Sequence, residues 1–184
     1  VKALIVVDMQ NDFMPDGALA TPGADGLVFV INSLIEKFPL VVATKDWHLR
    51  SHMSFTERGG KWPVHCVQNT NGAEFVFGLN TEKFAEVFYK GTDSEIDSYS
   101  TFFDNEHQKQ TGLDEFLKEK GVTEIYLVGC ATDYCVLYSA LDALELGYQV
   151  TVVIDACKAI EDQDKAILKM QEKGVNTVTA SEVL

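Results

Sequence analysis

The chain has 184 residues, 46% of them hydrophobic and 23% charged. That balance is ordinary for a globular protein, and residues 1–184 read as a single domain with enough chain for a sizeable core. The formal net charge of −13 argues against nucleic acid or an anionic membrane as the main partner, because an acidic surface repels polyanions. No run approaches the apolar length that spans a bilayer, and the opening residues carry no signal-peptide pattern. The four cysteines, Cys66, Cys130, Cys135 and Cys157, lack the paired spacing of a disulfide framework or a zinc knuckle, so reduced thiols and a cytoplasmic location are expected.

Ala3-Leu4-Ile5-Val6-Val7 predicts a buried strand, stopped by the polar run Asp8 to Asp12. Residues 23–38 predict a helix, with Leu27, Val30, Ile31, Leu34 and Ile35 on the 3.6-residue period. Leu40 to Thr44 predicts a second strand. The segment 45–80 is rich in His, Trp, Gly and Asn and has no period; a connection that long is uncommon and usually functional. Strands are predicted over 84–90, 124–128, 150–154 and 175–179, and helices over 113–120, 133–146 and 162–172, the last three stopped by Gly121, Gly147 and Gly174. Strands alternating with helices predict an α/β, three-layer, doubly wound fold: a mostly parallel sheet with helices on both faces.

In such sheets reactive groups gather at the carboxyl ends of strands. Cys135 follows one strand and opens a helix, where unpaired backbone N–H groups favour a thiolate and could stabilise an oxyanion. A free cysteine is otherwise a small core hydrophobe. Asp8 and Lys90 stand at two further strand ends. Singly they read as a cap and a solvated charge; jointly they supply a proton acceptor and a cation for the thiol. Asp46, His48 and His65 form a set of one hard oxygen and two imidazoles, suited to zinc, with iron or manganese as alternatives. Three of the four histidines fall between Asp46 and His65, which favours metal over ordinary hydrogen bonding. His52 stands open as a fourth ligand or a neighbour of the ligands, and His107 reads as surface. Phe13, Trp47, Trp62, Tyr99, Phe102 and Tyr134 adjoin these polar segments and could stack on a flat aromatic ligand. Phe102 and Phe103 read equally well as core.

Taken together, Val6-Val7-Asp8-Met9-Gln10-Asn11-Asp12-Phe13, Thr44-Lys45-Asp46-Trp47-His48, Trp62-Pro63-Val64-His65-Cys66-Val67-Gln68, Lys90-Gly91 and Ala131-Thr132-Asp133-Tyr134-Cys135-Val136 resemble the nicotinamidase branch of the isochorismatase-like cysteine hydrolases, over essentially the whole chain. The resemblance implies a six-stranded sheet and hydrolysis of nicotinamide to nicotinate and ammonia in NAD salvage, with pyrazinamide as a related substrate. It implies Cys135 as nucleophile, Asp8 as base and Lys90 as its charged neighbour. The Ala131 and Cys135 N–H groups would form the oxyanion hole, and a cis peptide would join Cys130 to Ala131. Asp46, His48 and His65 would hold a divalent metal that anchors the ring nitrogen, and Phe13, Trp62, Tyr99 and Tyr134 would line the substrate pocket. Thr101 stands where relatives often have Gly, which bears on the shape of the pocket wall. The partner is then a small aromatic amide, with homo-oligomerisation left open. Rival readings are another small amide, a carbamoyl compound or isochorismate on the same fold, and a redox-sensing protein with an oxidisable Cys135.

Overall fold

The computed structural model describes residues 1–184 in full. Six strands form one sheet: β1 (Lys2–Val7), β2 (Leu40–Asp46), β3 (Glu86–Lys90), β4 (Glu124–Cys130), β5 (Gln149–Lys158) and β6 (Asn176–Val178). Their order is β3-β2-β1-β4-β5-β6 and every neighbouring pair is parallel. The four α-helices are α1 (Leu27–Ile35), α2 (Leu113–Glu119), α3 (Leu137–Glu145) and α4 (Gln163–Lys173).

The period-2 alternation of a strand divides β1 between two cores. Ala3, Ile5 and Val7 pack with Leu113 and Leu117 of α2, Leu137, Ala140 and Ala143 of α3, and Met170 of α4. Leu4 and Val6 face the opposite way, onto Leu27, Ile31, Leu34 and Ile35 of α1. Strands covered on both faces are apolar on both, which is why they read as continuous hydrophobic runs. The fold is therefore the expected three-layer, doubly wound α/β arrangement, and its sheet is parallel throughout.

Strand order reverses between β1 and β4. The chain winds outward to β3 on one side, crosses back, and winds outward to β6 on the other. A crevice opens where two such windings part, at the carboxyl ends of the strands. Asp8 follows β1 there, and Ala131 to Cys135 follow the end of β4. Close approach of these two strands needs Gly129 (φ 116°), since a side chain at that position would overlap the backbone of Val7.

Several boundaries differ from the sequence reading. The first turn before α1 is a tight 3₁₀ turn (Ala24–Gly26), so the α-helix is shorter than 23–38. β2 runs on to Asp46, β4 to Cys130 and β5 to Lys158, because at these ends the neighbouring strands continue to offer ladder partners to polar residues. β3 starts at Glu86, since the 3₁₀ turn Thr81–Lys83 leads into Phe84, which packs edge-on against Phe75 at 5.4 Å. The helix expected from Asp133 begins as a π-turn over Thr132–Val136 and becomes α-helical only at Leu137. No helix is long and apolar enough to cross a membrane.

Candidate active site

The geometry of the site starts from sheet register. Asp46, the last residue of β2, pairs directly with Lys90, the last residue of β3. Lys90 is 2% exposed, and burying an ammonium is costly unless its donors are all matched. Its three N–H groups go to Asp46 Oδ1 at 2.6 Å, the Ser98 carbonyl at 3.0 Å and Cys135 Sγ at 3.2 Å. Asp8 Oδ2 forms an ion pair with the same nitrogen at 2.8 Å. The other oxygen, Oδ1, accepts from the Thr44 hydroxyl at 2.7 Å. Asp8 itself holds a left-handed conformation (φ 49°), a strained geometry of the kind that clusters at functional sites. Folding thus brings Asp8, Lys90 and Cys135 together on one buried nitrogen.

Their electrostatics follow from burial and from that shared cation. Burial raises the Asp8 carboxyl above its ordinary range, with Lys90 opposing the rise. Burial works against charge on Asp46 too, yet the Lys90 ammonium beside it outweighs that and holds the carboxyl well below the usual value. For Cys135 burial also dominates. It pushes the thiol well above its ordinary value, Lys90 pulls it down, and the two carboxylates push it up again. The expectation of a readily held thiolate at a helix start is corrected here. Cys135 is 6% exposed inside the π-turn, and desolvation exceeds what a helix terminus supplies. Its resting form is the thiol, and a base must take the proton.

A second cluster adjoins the first through Asp46. His48 Nδ1 is 2.8 Å from the Gly91 carbonyl, and His65 Nδ1 is 2.7 Å from the Pro63 carbonyl. A carbonyl only accepts, so both imidazoles carry their proton on Nδ1 and present the Nε2 lone pair. Both lone pairs point at Asp46 Oδ2, at 3.4 Å and 3.6 Å. Three ligand atoms converge within 4.8 Å of one another, and buried His48 Nε2 has no hydrogen-bond donor. Three converging acceptors with no donor between them are what a divalent cation satisfies, and one oxygen with two imidazoles suits a borderline metal. The backbone carbonyls fix the ring orientations as outer-sphere groups do at metal sites. His48 reaches Gly91 only because that residue has no side chain: a Cβ there would overlap the imidazole, at φ 65°.

His52 does not join this trio. Its Nδ1 bonds Ser54 Oγ at 2.7 Å, its Nε2 faces the Ile96 carbonyl at 3.3 Å, and its ring packs 4.0 Å from that of His48. His107 is exposed, as read from the sequence, and pairs with Asp142 at 3.2 Å. Phe102 is core, 1% exposed, with Phe103 packed against the same cluster. Trp47 turns away from the site and tilts against Tyr89.

Between the two clusters lies a small cavity lined by Cys135, Ala131, Asp46, His65 and a wall of aromatic rings. All four expected aromatic residues, Phe13, Trp62, Tyr99 and Tyr134, are in that wall, joined by Leu19, Ile160 and Asp97. Trp62 Nε1 donates to the Tyr99 hydroxyl at 3.1 Å, and burial pushes the Tyr99 phenol up to about 12. The Cys130–Ala131 peptide is cis, as the resemblance implied, and the Ala131 N–H makes no backbone hydrogen bond.

Sequence reasoning missed the residues that position these groups. Gln10 is fully buried; its Oε1 accepts the Asp46 N–H at 2.9 Å and its Nε2 donates to the carbonyls of Asp46 (2.8 Å) and Ala73 (2.9 Å). One amide therefore clamps the residue shared by both clusters. Asp133 accepts the N–H groups of Ile160, Glu161 and Asp162, tying the π-turn to the start of α4. Asp12 Oδ2 accepts the Cys66 N–H at 2.8 Å and so holds the His65 segment. All three sit inside the quoted motifs, but Gln10 and Asp12 lie in a polar run and Asp133 in a turn, so residue type and spacing gave no separate signal for them.

The isochorismatase domain family matches residues 2–182 of this chain. The chain belongs to that family. Among its relatives is the nicotinamidase of Escherichia coli, 39% identical over 98% of this chain and 96% of that protein. Two solved structures share the family fold across nearly the full length. An Acinetobacter baumanii nicotinamidase and pyrazinamidase superposes with a TM-score of 0.96 at 40% identity, covering 100% of this chain and 98% of its own. The pyrazinamidase of Pyrococcus horikoshii, solved in complex with zinc, gives 0.87 at 45% identity, covering 97% and 98%. With a zinc-bound relative in the same family, the convergent Asp46, His48 and His65 are a group of ligand atoms that could hold a divalent metal.

Proposed function

We propose that residues 1–184 act as one amidohydrolase domain that converts nicotinamide to nicotinate and ammonia, and also accepts pyrazinamide. The observation that carries this reading is the shared ammonium of Lys90, which holds Cys135 Sγ, Asp8 and Asp46 around one nitrogen. Asp8 and the sulfur both contact that nitrogen, so they lie no farther apart than those two distances together.

Asp8 Oδ2 takes the Cys135 proton as the sulfur attacks the carboxamide carbon, and the Lys90 ammonium holds the sulfur's charge. The S–C bond forms, and the carbonyl oxygen becomes an oxyanion held by the N–H groups of Ala131 and Cys135. Collapse of that intermediate breaks the C–N bond, and Asp8 returns its proton to the leaving nitrogen, releasing ammonia. Water then gives a proton to Asp8 and its hydroxyl to the thioester carbon. The S–C bond breaks, Asp8 returns its proton to the sulfur, and the product leaves as the acid, which ionises to nicotinate by losing its hydroxyl proton to water. Asp8 is suited to both directions because burial lifts its affinity for a proton. Asp46, His48 and His65 hold the metal, zinc in this reading, which when bound supplies a Lewis-acid anchor for the pyridine nitrogen. Phe13, Trp62, Tyr99 and Tyr134 bound the ring.

Ammonia release from nicotinamide, pyrazinamide and a non-aromatic carbamoyl compound tests the proposal. Turnover of the two aromatic amides is expected, with loss in Cys135→Ala. Turnover of the carbamoyl compound alone, or unchanged turnover in Cys135→Ala, would overturn it. Metal analysis of the active protein tests zinc against iron and manganese.

A further inference from the structure

The cavity above Cys135 has a free volume of about 20 Å³, room for about one water molecule. So tight a space makes the yielding of its wall decide which rings can sit against the sulfur. The floor is not the part that moves. Asp46, Cys135 and Ala131 stand at strand ends and on the Lys90 hub, where every displacement would unpair a buried charge. The remaining wall is the aromatic roof. Trp62 comes from the 45–80 segment and packs edge-on against Tyr134 at 4.9 Å, while Tyr99 tilts on Tyr134 at 5.3 Å.

One exposed side chain straps this roof from outside. The Lys61 ammonium lies 4.7 Å from the Trp62 ring centre and 4.8 Å from that of Tyr134. It donates to the Tyr134 hydroxyl and pairs with Glu161 Oε1 at 3.5 Å. Glu161 follows Ile160, another wall residue, on the segment whose N–H groups are pinned by Asp133. A single cation thus joins the Trp62 loop, the π-turn and the approach to α4. Lys61 itself does not line the cavity.

We propose that Lys61 is a specificity-determining latch: by holding Trp62 and Tyr134 together it admits a single flat ring to Cys135 and excludes fused-ring amides. The inference rests on the amidase reading above for its substrates, but not for its geometry. A flat ring requires the roof to lift little, whereas a second fused ring requires Trp62 and Tyr134 to part, which strips Lys61 of its contacts. Both the cation–π contacts and the ion pair are solvent-exposed, so the latch is weak and weakened further by salt.

The test compares wild type with Lys61→Met and Glu161→Gln, with Lys83→Met as a control on a remote ion pair (Lys83–Glu36). The first readout is kcat/KM for quinoline-3-carboxamide relative to nicotinamide. The second is the rate at which Cys135 is alkylated by N-phenylmaleimide relative to iodoacetamide, read by mass spectrometry. In Lys61→Met both ratios rise about fivefold. Glu161→Gln moves them the same way by less, high salt moves wild type toward Lys61→Met, and Lys83→Met leaves them unchanged. Ratios within about twofold of wild type in both latch variants would overturn the latch. A shifted alkylation ratio with no amide hydrolysis by wild type would keep the latch and sink the amidase reading instead.

Discussion

Lys90→Met removes one charge and keeps most of the side chain's volume, so its effect isolates the ammonium. The wild-type cation is 2% exposed and sits 2.6 Å and 2.8 Å from two buried carboxylates. Removing one partner of a buried ion pair costs about 3–5 kcal/mol, because the other is left charged and desolvated. Against a total stability of about 5–15 kcal/mol, and at roughly 2–4 °C per kcal/mol for a chain of this length, the melting temperature should fall by about 6–20 °C. The sign of the pH dependence is fixed as well. In wild type Asp46 titrates below its unfolded value, so its contribution is present at neutral pH and is lost as pH falls through the folded value. In the variant both carboxylates titrate above about 3.9, so they destabilise the fold at neutral pH and are relieved on acidification. The gap between wild type and variant is therefore widest near neutrality and narrows toward acid. Thermal unfolding with chelator present, so that no metal offsets the charge, measures it. A loss under about 2 °C at neutral pH, or a gap that widens as pH falls, would refute the reasoning.

Cys135→Ala should abolish ammonia release while shifting the melting temperature by only a few degrees, as expected for trimming one small buried group; circular dichroism and the ammonia assay report the two separately. Gly91→Ala places a methyl group on the His48 ring at a left-handed position, and should lower metal content by about 10–100-fold in affinity, as loss of outer-sphere support does; metal titration of the chelated protein reads it. Asp133→Asn weakens the acceptor for three backbone N–H groups and should cost about 1–3 kcal/mol in denaturant unfolding. The acid limb of kcat/KM should lie above the ordinary carboxylate range, since burial raises Asp8 and protonation removes the base; a limb at or below about 3.9 would assign the titration to another group.

Local order in the chain was enough to place the strands, the helix behind Cys135 and the polar residues at strand ends, since two-sided apolar runs and 3.6-residue spacing report burial directly. It was also enough to single out Asp46-x-His48 with His65 as candidate ligands, because ligand chemistry is a property of residue type. What only the tertiary structure decided are relations between distant segments. The β2–β3 register puts Asp46 against Lys90 and so makes one carboxylate serve both clusters. The direction of the His52 ring takes it out of the metal trio, and the Gln10 clamp depends on a loop arriving from Ala73. The state of the Cys135 thiol depends on desolvation, which is set by everything packed around the sulfur. Sequence periodicity records which side of an element is buried; it carries no record of what lies across the gap, and charge balance in a buried site is set across that gap.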